Sequence, residues 1–207
     1  KSWPEAAART APPESARAVE ALRVPAVREG RRNLALLPAA RAAASSVLQG
    51  GAMPIHQVAH LNDGWHGNQA SWIADQMPAW AEVDLGAVHT IGSIRLGNDH
   101  ARQYTDRAAT HLRLLTATDY SADSQAATWR PVAEHQGEPL LEEKVFAFAP
   151  VAARWVRVEL LRGGQDMPRL DEIEVYEAAP VSREEADAFA RDARRGPAPP
   201  PARQMTG

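Results

Sequence analysis

Residues 62–86 read Asn62-Asp-Gly-Trp-His-Gly-Asn-Gln-Ala-Ser-Trp-Ile-Ala-Asp-Gln-Met-Pro-Ala-Trp-Ala-Glu-Val-Asp-Leu-Gly86. Asn62-Asp63-Gly64 is a turn signal, because Asn and Asp bond their own backbone and Gly accepts a left-handed conformation. A short Trp72-Ile73 pair follows. Trp80–Leu85 is then an alternating run closed by Gly86. Far downstream, Arg169-Leu-Asp-Glu-Ile-Glu-Val-Tyr176 repeats that alternation, with Ile173 and Val175 on one face.

Between and around these blocks, short apolar runs recur with turn signals between them, the pattern of an all-β sandwich or barrel. Candidate strands are Trp80–Leu85, Thr90–Leu96, His111–Ala117, Thr128–Glu134, Lys144–Phe148, Arg154–Leu161 and Leu170–Tyr176. In Arg154–Leu160, Val156, Val158 and Leu160 share one face, and Arg157 and Glu159 share the other. Trp72, Trp80, Trp129 and Trp155 lie in strands or at strand edges and are expected in the core.

Three zones divide the chain. Residues 1–32 form an Ala-, Arg- and Pro-rich extension with a short helix entered at Pro12-Pro13 and stopped at Pro25. Its apolar content is mostly Ala, so it is expected to pack on something else. Residues 33–178 form the core domain. Residues 179–207 form a tail: Ser182 and Glu185 fit a capping box, the helix should end at Gly196, and Pro197–Ala202 reads as an extended polyproline segment.

The 207 residues are 44% hydrophobic and 24% charged, with a net charge of −3, an ordinary soluble balance. That charge argues against an electrostatic nucleic-acid binder. With no cysteine, disulfides, thiolate metal sites and cysteine nucleophiles are excluded. No apolar run approaches the ~20 residues that span a bilayer. The chain begins at Lys1, so removal of a leader is an open expectation. The Gly-x-Ser-x-Gly elbow, the His-Glu-x-x-His helix and the Gly-rich phosphate loops are absent, and no enzyme is expected. His56 and His60 are four apart, but between Pro54 and the Asn-Asp-Gly turn they belong to a loop rather than to a helical metal site.

Asn62-Asp63-Gly64 with Ser71-Trp72, then Trp80–Gly86, Trp129-Arg-Pro-Val132, Ala153–Arg157 and Asp171–Tyr176, in that order, resemble the discoidin family, the C-type domain of coagulation factors 5 and 8. The resemblance runs from Asn33 to Ala178. It implies a galactose-binding-like antiparallel β-sandwich of the jelly-roll kind, here with short helical extensions at both ends. It also implies a structural calcium held by Asp63 and Glu172 side chains and by backbone carbonyls of Trp65 and Asp171. The loop departs from the family pattern: two extra residues sit between Asp63 and Trp72, and Ala70 stands where a Thr hydroxyl is usual.

In sugar-binding relatives, end loops present aromatic and polar side chains, because a sugar's C–H face stacks on a ring while its hydroxyls need fixed partners. By that resemblance the candidates are Trp65, His66, Asn98, Asp99, His100, Arg102 and Tyr104. Two functions follow. The first is an accessory subunit, extracytoplasmic or peripheral to a membrane complex, docking on other protein subunits through its sandwich and arms. The alternative is a carbohydrate-binding module for a glycan or cell-envelope ligand.

Overall fold

A computed structural model describes residues 22–98, 104–121, 126–163 and 165–196. Its strands, in chain order, are β1 (Leu22–Arg23), β2 (Val27–Arg28), β3 (Arg31–Arg32), β4 (Arg41–Ala44), β5 (Trp65–His66), β6 (Trp72–Ile73) and β7 (Ala79–Gly97). There follow β8 (Ala109–Ala117), β9 (Tyr120–Ser121), β10 (Ala126–Ala127), β11 (Arg130–Gln136), β12 (Glu143–Gly163), β13 (Arg169–Leu170) and β14 (Glu172–Glu177), and then helix α1 (Arg183–Asp192).

The alternation of small apolar and charged residues makes β7 and β12 long antiparallel partners. Each spans what the sequence divides into two strands. The first half of β7 pairs with β4 and with residues 155–160 of β12; its second half pairs with β14 and residues 143–147 of β12. The register breaks between Ala147 and Val151 and again between Ala153 and Trp155. Such irregularities bend a strand and increase its twist, so the two strands serve both layers of the sandwich. β8 and β11 extend the first layer beyond β12.

The core lies between the layers. Val83, Leu85, Leu112, Leu114, Val156, Val158 and Leu160 meet Ile94, Leu96, Phe146, Ile173 and Val175, and Trp72 belongs to the same cluster, its indole N–H donating to the Ser46 carbonyl. Trp155, expected in the core, is buried against Tyr120 and Arg154, although outside this cluster; Trp80 and Trp129, expected there too, are only partly buried. They lie on the outer sheet face, where the Arg157 guanidinium sits 4.5 Å from the Trp80 ring and 4.2 Å from the Trp129 ring.

Both extensions return to the sandwich. Asn33 is buried and its Oδ1 accepts from Ala35 and Val175 N–H groups, stapling the N-terminal segment to β14. The β2–β3 hairpin is held to the last strand by hydrogen bonds from the Arg32 backbone N–H and guanidinium to the Glu177 carboxylate. The Ser182–Glu185 capping box is present, and α1 ends at Asp192 rather than at Gly196. Phe189 of α1 packs on Ala26 and Leu36. The expected N-terminal helix falls outside the described residues up to residue 21, and its last part is not helical, since Leu22–Arg23 form β1 against Trp65–His66; the Pro-rich segment falls outside the described residues. Among the described residues no helix is long and apolar enough to cross a membrane.

Candidate functional site

The Asp63 turn is built by its own side chain. Asp63 Oδ1 accepts the Trp65 N–H at 3.0 Å, and Gly64 takes a φ of +84° that an L side chain would resist. Gly64 N–H in turn donates to Glu172 Oε1 at 3.1 Å, tying the turn to the last strand. His60 Nδ1 lies 2.6 Å from Asp63 Oδ2. Burial pushes the Asp63 carboxyl above its usual range, although His60 draws it down. Glu172 is fully buried, and burial, with the charges of Asp63 and Glu174, pushes its carboxyl well above the ordinary range.

Asp171 is committed in the same way. Its Oδ1 pairs with the buried Arg169 at 2.7 Å and its Oδ2 accepts the Gly67 N–H at 3.0 Å. The Trp65 indole N–H donates to the Gly196 carbonyl at 3.2 Å, so its ring is half-buried beneath the C-terminal segment. His66 points inward over Gly97, whose Cα leaves the only room for the ring; a Cβ there would overlap it.

A second polar cluster lies beside the first. His66, Glu143 and Glu174 bring ligand-type atoms within 4.8 Å of one another, a grouping of the kind that can hold a metal ion. Arg28 and Tyr176 already engage Glu174, and Arg95 engages Glu143. Burial alone would raise Glu174, but His66 and Tyr176 hold its carboxyl below the usual range. Arg28, Arg31, Arg95, Val145 and Tyr176 line an adjoining open groove of about 500 Å³.

Of the expected ligand contacts, the structure brings Trp65 and His66 to the Asp63 turn. Asn98 is buried at the end of β7, donating to the Leu140 carbonyl. Tyr104 is 47% exposed on the following loop. Asp99, His100 and Arg102 lie outside the described residues. Of the expected calcium ligands, the Asp63 and Glu172 carboxyls are joined through the turn, by Trp65 N–H on Asp63 and Gly64 N–H on Glu172, and the Asp171 carboxyl holds the next residues through Gly67. His60, Arg169 and the segment 194–196, which the sequence reading does not include, complete that neighbourhood. The Arg194-Arg195-Gly196 run directly after the capped helix is the one sequence signal that could have pointed to it. His56 and Ser71 approach to 2.8 Å, a nucleophile–base distance, but both are buried and the hydroxyl faces no solvent.

An antiparallel jelly-roll sandwich, closed by a turn that its last strand and C-terminal segment hold from beneath, is a galactose-binding-like scaffold. Residues 41–173 match the model of the F5/8 type C domain, and the chain belongs to that family. Its fold is similar to that of CpGH89CBM32-5 from Clostridium perfringens, solved in complex with GalNAc-β-1,3-galactose (17% identity, 66% of this chain and 94% of that one, TM-score 0.54). It is also similar to chitosan-binding module 1 of a chitosanase/glucanase from Paenibacillus sp. IK-5 (24% identity, 70% and 98%, TM-score 0.56). A third is the family 32 CBM of C. perfringens NanJ in complex with galactose (19% identity, 67% and 93%, TM-score 0.53). None of the curated proteins matches the chain.

Proposed function

We propose that this protein is a non-catalytic carbohydrate-recognition module working outside the cytoplasm. The observation that carries the reading is the family membership, together with solved neighbours whose ligands are galactose, GalNAc-β-1,3-galactose and chitotriose. The ligand-contacting loop in this reading is the one after β7, carrying Asn98, Asp99, His100, Arg102 and Tyr104. Tyr104 is its exposed ring, available for stacking on a sugar face. Trp65 and His66 are not direct contacts in this reading, because the indole N–H and the imidazole are already engaged within the chain. Calcium at the Asp63 turn is not part of the reading, since all but one of the carboxylate oxygens there are engaged by groups of the chain itself.

The accessory-subunit reading drew its support from arms with nothing to pack on. The described parts of both arms lie on the sandwich of the same chain, so they need no second protein to be ordered.

Calorimetric titration with galactose, GalNAc-β-1,3-galactose and chitotriose tests the proposal. At least one should bind, and Tyr104→Ala should weaken it by about tenfold, the equivalent of about 1.4 kcal/mol. Absence of binding to every one of these sugars and to cell-envelope polysaccharide would sink the reading.

A further inference from the structure

After Ala193 the chain leaves the helix and crosses the Asp63 turn. Arg194 N–H donates to the Leu36 carbonyl at 2.7 Å, and its guanidinium to the Ala40 carbonyl at 2.9 Å. Arg195 Nη1 donates to the Val24 carbonyl at 2.8 Å. The same Nη1 lies over Gly64, so that a Cβ on that glycine would come within 2.8 Å of it. Gly196 N–H donates to the Asp63 carbonyl at 2.8 Å, while its own carbonyl accepts from Trp65. Gly196 is small by necessity, because a Cβ would stand 2.8 Å from that of Asp63.

The turn is where the family resemblance implies a calcium, and the residues present do not fit one. Calcium takes 6–8 oxygens at about 2.3–2.6 Å. Asp63 Oδ1 accepts from Trp65, Asp63 Oδ2 faces His60, and the Asp63 and Gly64 carbonyls accept from Gly196 and Val24. Asp171 accepts from Arg169 and Gly67, and Glu172 Oε1 from Gly64. Among the described residues this leaves Glu172 Oε2 as the one carboxylate oxygen of the set without a partner. The Arg195 guanidinium lies against Gly64, within electrostatic reach of Glu172, and a divalent ion in the turn would meet it as a like charge.

We propose that residues 194–196 form a built-in strap that does the cation's work: Arg195 supplies the positive charge facing the Asp63–Glu172 pair, and Gly196 closes the turn. The chain thereby orders this loop without a divalent ion. The inference is independent of whether the module binds sugar.

The test is thermal melting of the full chain in EDTA and in millimolar calcium, alongside terbium luminescence sensitised through Trp65. The unmodified protein should melt at the same temperature in both and give no sensitised emission. Arg195→Ala, which removes the charge, and Gly196→Val, which drives the strap off Asp63, should melt about 2–4 °C lower in EDTA. Calcium should restore both, with terbium emission appearing. A calcium-dependent melting temperature or terbium emission in the unmodified protein overturns the proposal. So do variants that melt like the parent, or variants that calcium leaves unrestored.

Discussion

His56 is one residue through which pH acts on this fold. Its ring is buried against Ser71, and burial, with the charges of Arg169, Arg107 and His60, lowers its pKa from 6.5 to about 4. The unfolded chain therefore takes up a proton at this site below pH 6.5, while the folded chain resists until about pH 4. Folding loses stability as pH falls through that window and is unaffected above it. At about 1.4 kcal/mol per pH unit the loss is on the order of 3 kcal/mol. Urea unfolding at pH 7, 6, 5 and 4 should show this slope, and His56→Gln should flatten it. Equal slopes in the two proteins would refute the assignment. His60 titrates in the opposite sense: burial would lower it, but Asp63 raises it, so its contribution is present at low pH and lost as pH rises. The sequence offers these two histidines as a pair four apart. What separates them is the identity of Ser71 and Asp63 as their partners, which depends on loop packing that residue spacing does not encode.

At the scale of elements, period-two alternation carried most of the fold. Val156, Val158 and Leu160 point inward as the pattern requires. The same parity places Trp155 with Arg157 and Glu159, and Trp80 with Glu82 and Asp84, on the outer face. Hydrophobicity argued the other way: it misplaced Trp80 and Trp129, while Trp155 is buried on that face. The rings are out there because arginine makes the face hospitable. Arg157 lies between the Trp80 and Trp129 rings and makes two hydrogen bonds to Glu82, at 2.9 and 2.7 Å. A planar guanidinium can stack on two faces and reach a carboxylate at once, whereas an ammonium is a point charge on a flexible stem. Arg157→Lys should therefore cost about 1–2 kcal/mol in chemical denaturation. Arg157→Ala should cost about 3 kcal/mol, because it also leaves the mostly buried Glu82 carboxylate without its partner. A lysine variant as stable as the parent would show that charge alone, not stacking, holds this face.

At the scale of the whole molecule, the two extensions are one structure. Phe189 of α1 fills a small cluster with Ala26 and Leu36, under the Arg32 guanidinium 5.8 Å from its ring. Pro180 lies against Gly30 of the β2–β3 hairpin. These contacts fall outside the 41–173 span that carries the family pattern. They were illegible in sequence for a physical reason: one Phe, one Leu and several Ala make no periodic apolar face, and the rest of the attachment is hydrogen bonds and ion pairs. An arm whose apolar anchorage is one aromatic side chain should detach without unfolding the sandwich. Phe189→Ala removes about 2–3 kcal/mol of packing, at the low end of core truncations because its cavity opens toward solvent. That raises the population of the open arm by about 30- to 150-fold, and cleavage of an opened segment tracks its population. Trypsin should then cut the variant at Arg191, Arg194 and Arg195 at least tenfold faster than the parent. The near-ultraviolet dichroism of the buried Trp72 should stay unchanged. Should the Trp72 signal collapse together with the arm, the extensions and the sandwich unfold as a single unit, and the strap over Asp63 would be part of the core's own cooperativity.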